Sequence, residues 1–316
     1  ENLSRNYSSD DVVEKFRRTG KENTLFVFME GVIERLRQLN HSGTAKNYSA
    51  ALGSFKRFRN NEDIQMEAID HILMEDYQAY LASLGVVPNS ISFYMRILRA
   101  VYNRAVEQEL TIDRNPFRTV FTGVEKTRKR AISISDIKRI RDLDLSLKPN
   151  LEFARNLFLF LFLCRGMSFI DAAFLKKSDI QSGILTYRRH KTNQVLHIKI
   201  IKPIKELVDR YSSNDSPYLL PIITRPHCDE RRQYETALRR VNKSLKTIAG
   251  MVKLPIPLTT YVSRHAWATI AKSKNIPVNV ISDALGHDSI ATTQIYLASI
   301  DTSTIDRANE LIIKDL

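Results

Sequence analysis

The chain has 316 residues, 43% hydrophobic and 26% charged, with only 10 Gly and 10 Pro, an ordinary globular composition at a length that suits about two domains. Two cysteines, Cys164 and Cys228, exclude a disulfide scaffold and a zinc-finger spacing, and the longest apolar run, residues 157–164, falls far short of the ~20 residues of a spanning helix. The formal net charge of +13 makes a polyanion, nucleic acid first, the expected partner. Residues 1–10 are too polar for a secretory signal, so a soluble, cytoplasmic protein is expected. Because the chain begins with Glu1 and not Met, a domain ahead of it is left open.

Helical periodicity dominates the first half. Leu25, Phe28, Met29, Val32, Ile33 and Leu36 form one apolar stripe over residues 24–38. A second helix is expected over 44–59 with Thr44 as cap, and a third over 70–84 ending at Gly85. A fourth opens after Pro88-Asn89-Ser90 and runs to about residue 110, burying Ile91, Met95, Leu98, Tyr102 and Ala105. Its flank carries Ser92, Arg96, Arg99 and Asn103 at the same spacing, a stripe suited to phosphates and base edges and equally to a solvated face. Lys46, Lys56 and Arg57 on the second helix are further candidates for DNA contact.

Residues 114–134 are weakly patterned and read as a linker with Lys126, Arg128, Lys129 and Arg130. They separate a helical domain, 1–113, from a second domain, 135–316. The charge divides with them: residues 1–125 carry 16 basic and 17 acidic side chains, residues 126–316 carry 32 and 18, so the excess belongs to the second part. There Ser135-Asp136 reads as a helix cap, and residues 151–163 as a buried helix or strand. Residues 184–189 and 195–200 alternate as a hairpin around His190-Lys191-Thr192-Asn193-Gln194. Helical patterns return at 231–249, 263–274, 278–285 and 304–313.

Phosphate-binding glycine loops, HExxH, GxSxG and CxxC are all missing, and His227-Cys228-Asp229 reads as an ordinary loop. What stands out is Tyr261-Val262-Ser263-Arg264-His265 followed by Leu285-Gly286-His287 and, nine positions after the histidine, Tyr296. This ordered array resembles the tyrosine recombinase, or phage integrase, family, along essentially the whole chain. The resemblance implies a mainly α fold with a small antiparallel β-sheet: a helical SAM-like core-binding domain and a mixed catalytic domain. It implies Tyr296 as nucleophile, Arg264 as the second arginine, His287 as a phosphate contact, and Lys191 as general acid on the hairpin.

That set suits metal-free cutting of DNA. A phenol keeps the phosphodiester energy in a covalent phosphotyrosine, guanidinium groups match the charge of the phosphorane, and a lysine protonates the leaving 5′-oxygen. No cofactor is expected. Two positions depart from the family pattern. Ser168, in Gly166-Met167-Ser168-Phe169-Ile170-Asp171, stands where the first arginine belongs, with Arg165 just ahead of the glycine as a relocated replacement. Tyr261 stands where the family has histidine, and a phenol donates a hydrogen bond but is a poor base near neutral pH.

The resemblance implies site-specific recombination (integration, excision or inversion) by a homotetramer on two paired duplex DNA sites, formed from free monomers, with the tail helix passed between protomers and accessory DNA-bending proteins as further partners. A DNA-binding relative without chemistry and a type IB topoisomerase are the alternatives. The intact set Tyr296, His287, Arg264 and Lys191 speaks against the first, and the small helical N-terminal domain against the second.

Overall fold

The helical stripes of the first half fold as α1 (Leu25–Gln38), α2 (Ser42–Phe58), α3 (His71–Ser83) and α4 (Pro88–Glu107) in a computed structural model that describes residues 23–125, 131–211 and 216–297. By its contacts the chain divides into two units, 1–127 and 128–316. In the first, Asp70 caps α3 by accepting from Leu73 N at 2.8 Å, and Gly85 follows the helix at φ +72°. α2 starts two residues before the expected Thr44, with His41 at its cap position. Phe55 meets Tyr77 edge-on at 4.9 Å, and the Tyr77 hydroxyl donates to Ser54 Oγ at 2.8 Å. Burying an aromatic of this kind stabilises by about 1.5–3 kcal/mol, provided its polar end is satisfied. Phe117 and Val120 belong to the same core, so the stretch expected as linker from residue 114 is in its first part packed structure.

The second unit is mixed, as expected. α5 (Ile134–Arg141) is capped by Ser133 and not Ser135: Ser133 Oγ accepts from Asp136 N at 3.1 Å while Asp136 Oδ2 accepts from Ser133 N at 3.0 Å. The apolar stretch is a helix, α6 (Pro149–Leu163), with Leu157, Phe158, Phe160 and Leu161 buried. After the short α7 (Phe169–Ala173) come β1 (Ile180–Gln181), β2 (Ile184–Arg188) and β3 (Val195–Lys199), an antiparallel sheet in that order. The hairpin was legible from alternation, and its register pairs Leu185 with Ile198 and Tyr187 with Leu196.

α8 (Lys202–Tyr211), α9 (Glu230–Met251), α10 (Thr260–Ser273), α11 (Val278–Leu285) and α12 (Ile290–Leu297) follow. α6 packs against both α9 and α10, which explains why its sequence shows no single apolar stripe. The His227-Cys228-Asp229 cluster is a helix entry, in which Asp229 Oδ1 accepts from Arg232 N at 3.1 Å. No described helix is long and apolar enough to cross a membrane. Lys126, Arg128, Lys129 and Arg130, and the tail helix expected at 304–313, lie outside the described residues.

Candidate active site

The site is organised by two glycines. α6 ends at Cys164, and Arg165 and Gly166 turn the chain at φ +58° and +69°. A Cβ on Gly166 would lie 2.8 Å from Arg264 Cα, so only glycine lets α10 approach here. Gly286 ends α11 at φ +61°, where a Cβ would meet Arg189 Cδ at 2.6 Å. Between these two turns Arg264 is buried, with 4% of its surface exposed. Its Nη1 donates to Gly166 O at 2.8 Å and its Nη2 to Leu285 O at 2.5 Å. Burial and the neighbouring Arg189 push its pKa down to about 10, which leaves it cationic at neutral pH.

The hairpin docks on the same loop. Arg189, just after β2, is 6% exposed and its Nη1 donates to Gly286 O, while Thr192 Oγ1 donates to that carbonyl at 3.3 Å. Arg189 Nε makes no hydrogen bond, and Asp171 Oδ2 lies 3.7 Å away. Asp171 is itself buried: it accepts from His190 N at 2.9 Å and from the Ser168 hydroxyl at 2.6 Å. The Ser168 oxygen also takes Asp171 N at 3.3 Å as the cap of α7. Ser168 thus serves the fold of its own turn.

Lys191 is exposed at the hairpin tip, in a turn closed by Asn193 at φ +59°, where Asn193 N donates to Arg189 O at 2.9 Å. His287 Nδ1 lies 2.7 Å from Thr293 Oγ1. Burial, then the charges of Arg264, Arg189 and Lys191, push the His287 pKa down to about 4, so the imidazole is neutral at physiological pH. Tyr261, on the first turn of α10, packs edge-on to His265 at 4.7 Å. Partial burial raises its pKa against the lowering effect of Arg264 and Arg189, so it is a protonated donor. Tyr296 falls on the last turn of α12, described in its backbone. Among the described residues no three His, Cys, Asp or Glu side chains gather as a metal site.

Two family models match in sequence order: the phage integrase SAM-like domain over residues 24–125 and the phage integrase family over residues 135–302. The chain belongs to the phage integrase family. It is a tyrosine recombinase, an enzyme of site-specific DNA cleavage and rejoining. Similar curated proteins include the tyrosine recombinase XerA of Pyrococcus furiosus, 27% identical over 74% of this chain and 79% of the relative, and XerD of Halalkalibacterium halodurans, 25% identical over 85% and 94%. Among solved structures, a lambda integrase dimer bound to a COC′ core site matches with a TM-score of 0.65 and 17% identity, covering 93% of this chain and 81% of that one. The Tn1549 transposon integrase with its right-end DNA matches with a TM-score of 0.63 and 13% identity, covering 92% and 99%.

In this recombinase the charges of Arg264 and Lys191 both act on His287, and that of Arg264 also acts on Tyr261. Arg165 is half-buried at the turn before Gly166. Arg189 was missed in the sequence, where it reads as one polar position of an alternating strand; its place directly before His190-Lys191 was the available signal. In the first unit Arg96, Arg99 and Asn103 are exposed along α4. Ser92 is not part of that exposed stripe: it is fully buried, and its hydroxyl donates to Gly123 O at 2.6 Å. Lys46 and Arg57 are exposed, whereas Lys56 pairs with Glu30 at 2.5 Å and sits 5.2 Å from the Phe26 ring centroid.

Proposed function

We propose that Tyr296 attacks the scissile phosphate of duplex DNA, forming a 3′-phosphotyrosine and expelling a 5′-hydroxyl that later reverses the bond. Lys191, exposed on the hairpin, gives its proton to the leaving 5′-oxygen. Arg264 meets the negative charge on the non-bridging oxygens, the neutral His287 and the protonated Tyr261 act as hydrogen-bond partners there, and the phenol proton of Tyr296 passes to solvent water as the P–O bond forms. The observation that carries this reading is the meeting of Arg264, the Lys191 hairpin and His287 around the carbonyls of Leu285 and Gly286.

Exposed Arg96, Arg99 and Asn103, with Lys46 and Arg57, supply duplex contacts in the first unit. The solved lambda integrase neighbours, a dimer on a core site and a tetramer on a Holliday junction, support a multimer on paired DNA sites as the working form. The deciding experiment is a nicked suicide substrate incubated in EDTA. It yields a covalent protein–DNA band whose phosphate maps to Tyr296, and Tyr296→Phe loses the band while still binding DNA. A band that persists in the Phe variant, or one mapped to Tyr261, overturns the assignment.

A further inference from the structure

We infer that Arg189 supplies the guanidinium that Ser168 does not, contacting a non-bridging oxygen of the scissile phosphate beside Arg264. The inference rests on the recombinase reading of Tyr296. Ser168 cannot do this itself, because its short hydroxyl is held by Asp171 as a helix cap. The buried Asp171 carboxylate, three residues on, has a cation partner all the same, and it is Arg189. The hairpin therefore delivers a charge to the position from which the α7 turn would otherwise have delivered it.

The placement is specific. Arg189 Nη1 and Arg264 Nη2 donate to the successive carbonyls of Gly286 and Leu285, directly before His287. Both side chains are buried, each at 6% exposure or less, and the positive charge of one acts on the other. Two buried guanidinium groups lie near the buried Asp171 carboxylate, and Arg189 Nε makes no hydrogen bond, so the pair holds positive charge that Asp171 alone does not offset. An entering phosphate offsets it, and the phosphorane, which carries more charge, offsets it further. A purely structural arginine would leave that excess charge without a use. The same charge falls on Tyr261 and His287, two other candidate phosphate contacts.

The test compares cleavage of a normal suicide substrate with one bearing a methylphosphonate at the scissile position, where a methyl group replaces one charged oxygen. With the normal phosphodiester, Arg189→Ala should lose covalent complex by ~10²-fold or more, the range for removing one transition-state donor. With the methylphosphonate it should approach the parent enzyme, since the charge that Arg189 offsets is gone. Arg189→Lys keeps a cation for the Gly286 carbonyl, protects against a folding failure, and should lose roughly tenfold, the worth of one charge-assisted hydrogen bond, with the same rescue. Normal cleavage by Arg189→Ala, or a loss in a folded, DNA-binding Arg189→Lys that the methylphosphonate leaves unrepaired, overturns the inference in favour of a structural role. Methylphosphonate rescue of Arg165→Ala without rescue at Arg189 overturns it in favour of Arg165. If the parent enzyme forms no bond through Tyr296, the recombinase reading of the site fails first and the inference falls with it.

Discussion

His287 Nδ1 lies 2.7 Å from the hydroxyl of Thr293, which is fully buried on α12 one turn before Tyr296. The helix that carries Tyr296 thereby also orients the histidine ring and fixes which of its nitrogens is held by Thr293. Thr293→Val keeps the shape and removes the hydrogen bond. Single-turnover cleavage should fall about 5- to 30-fold, the effect of ~1–2 kcal/mol, with DNA affinity unchanged. Thr293→Ser should recover the rate. Equal rates for the Val and Ser variants would show that this contact does not position the ring.

The depressed His287 pKa has a stability consequence with a definite sign. The folded pKa, about 4, lies below the ordinary histidine value of 6.5, so the unfolded chain binds the proton more readily between those values. This group therefore costs the fold stability progressively as pH drops from about 6.5 towards 4, and has no effect above that window. His287→Gln should flatten the fall in Tm between pH 6.5 and 5, where carboxylates contribute less. A parallel pair of Tm-versus-pH curves for the two proteins would contradict the burial and cation effects assigned to His287.

Gly166 and Gly183 separate backbone strain from site geometry. Both sit at φ near +70°, but a Cβ on Gly183 meets nothing within 4 Å, whereas on Gly166 it meets the Arg264 backbone. Each change to Ala should cost about 1–3 kcal/mol through the strained φ. Gly166→Ala alone should also abolish covalent complex formation, because α10 and the Arg264 guanidinium must move. Cleavage activity and Tm measured on both variants check this, and an active Gly166→Ala would show that the close approach is dispensable.

On α4, Arg96→Ala and Arg99→Ala should each lower DNA affinity and reduce the slope of log K against log salt by about 1. Ser92→Ala should leave the binding isotherm and its salt slope as in the parent, and should instead cost about 1 kcal/mol of stability through the lost bond to Gly123 O. A Ser92 variant with weakened binding and an unchanged Tm would return that residue to the DNA-contact stripe.

Periodicity determined several helices on its own through one buried face: α1, α3 and α4 lie within a few residues of their expected ends, and α11 over Val278–Leu285 coincides with its apolar pattern, whereas α8, with Ile204 and Val208 buried, was not read. The order Leu285-Gly286-His287…Tyr296, with Arg264 upstream, was also legible, as the array that carries the resemblance to the phage integrase family. The cap at Ser133 and the burial of Ser92 and Arg189 were not legible. Each depends on a partner the local pattern does not contain: Asp136 reaching back to the Ser133 backbone, the Gly123 carbonyl passing over α4, and the Gly286 carbonyl brought against the hairpin. Local pattern fixes which face of an element is apolar. Which polar side chain is buried, and by what it is satisfied, is decided only when distant segments meet, because a buried charge or hydroxyl is tolerated solely where the opposing backbone supplies its bond.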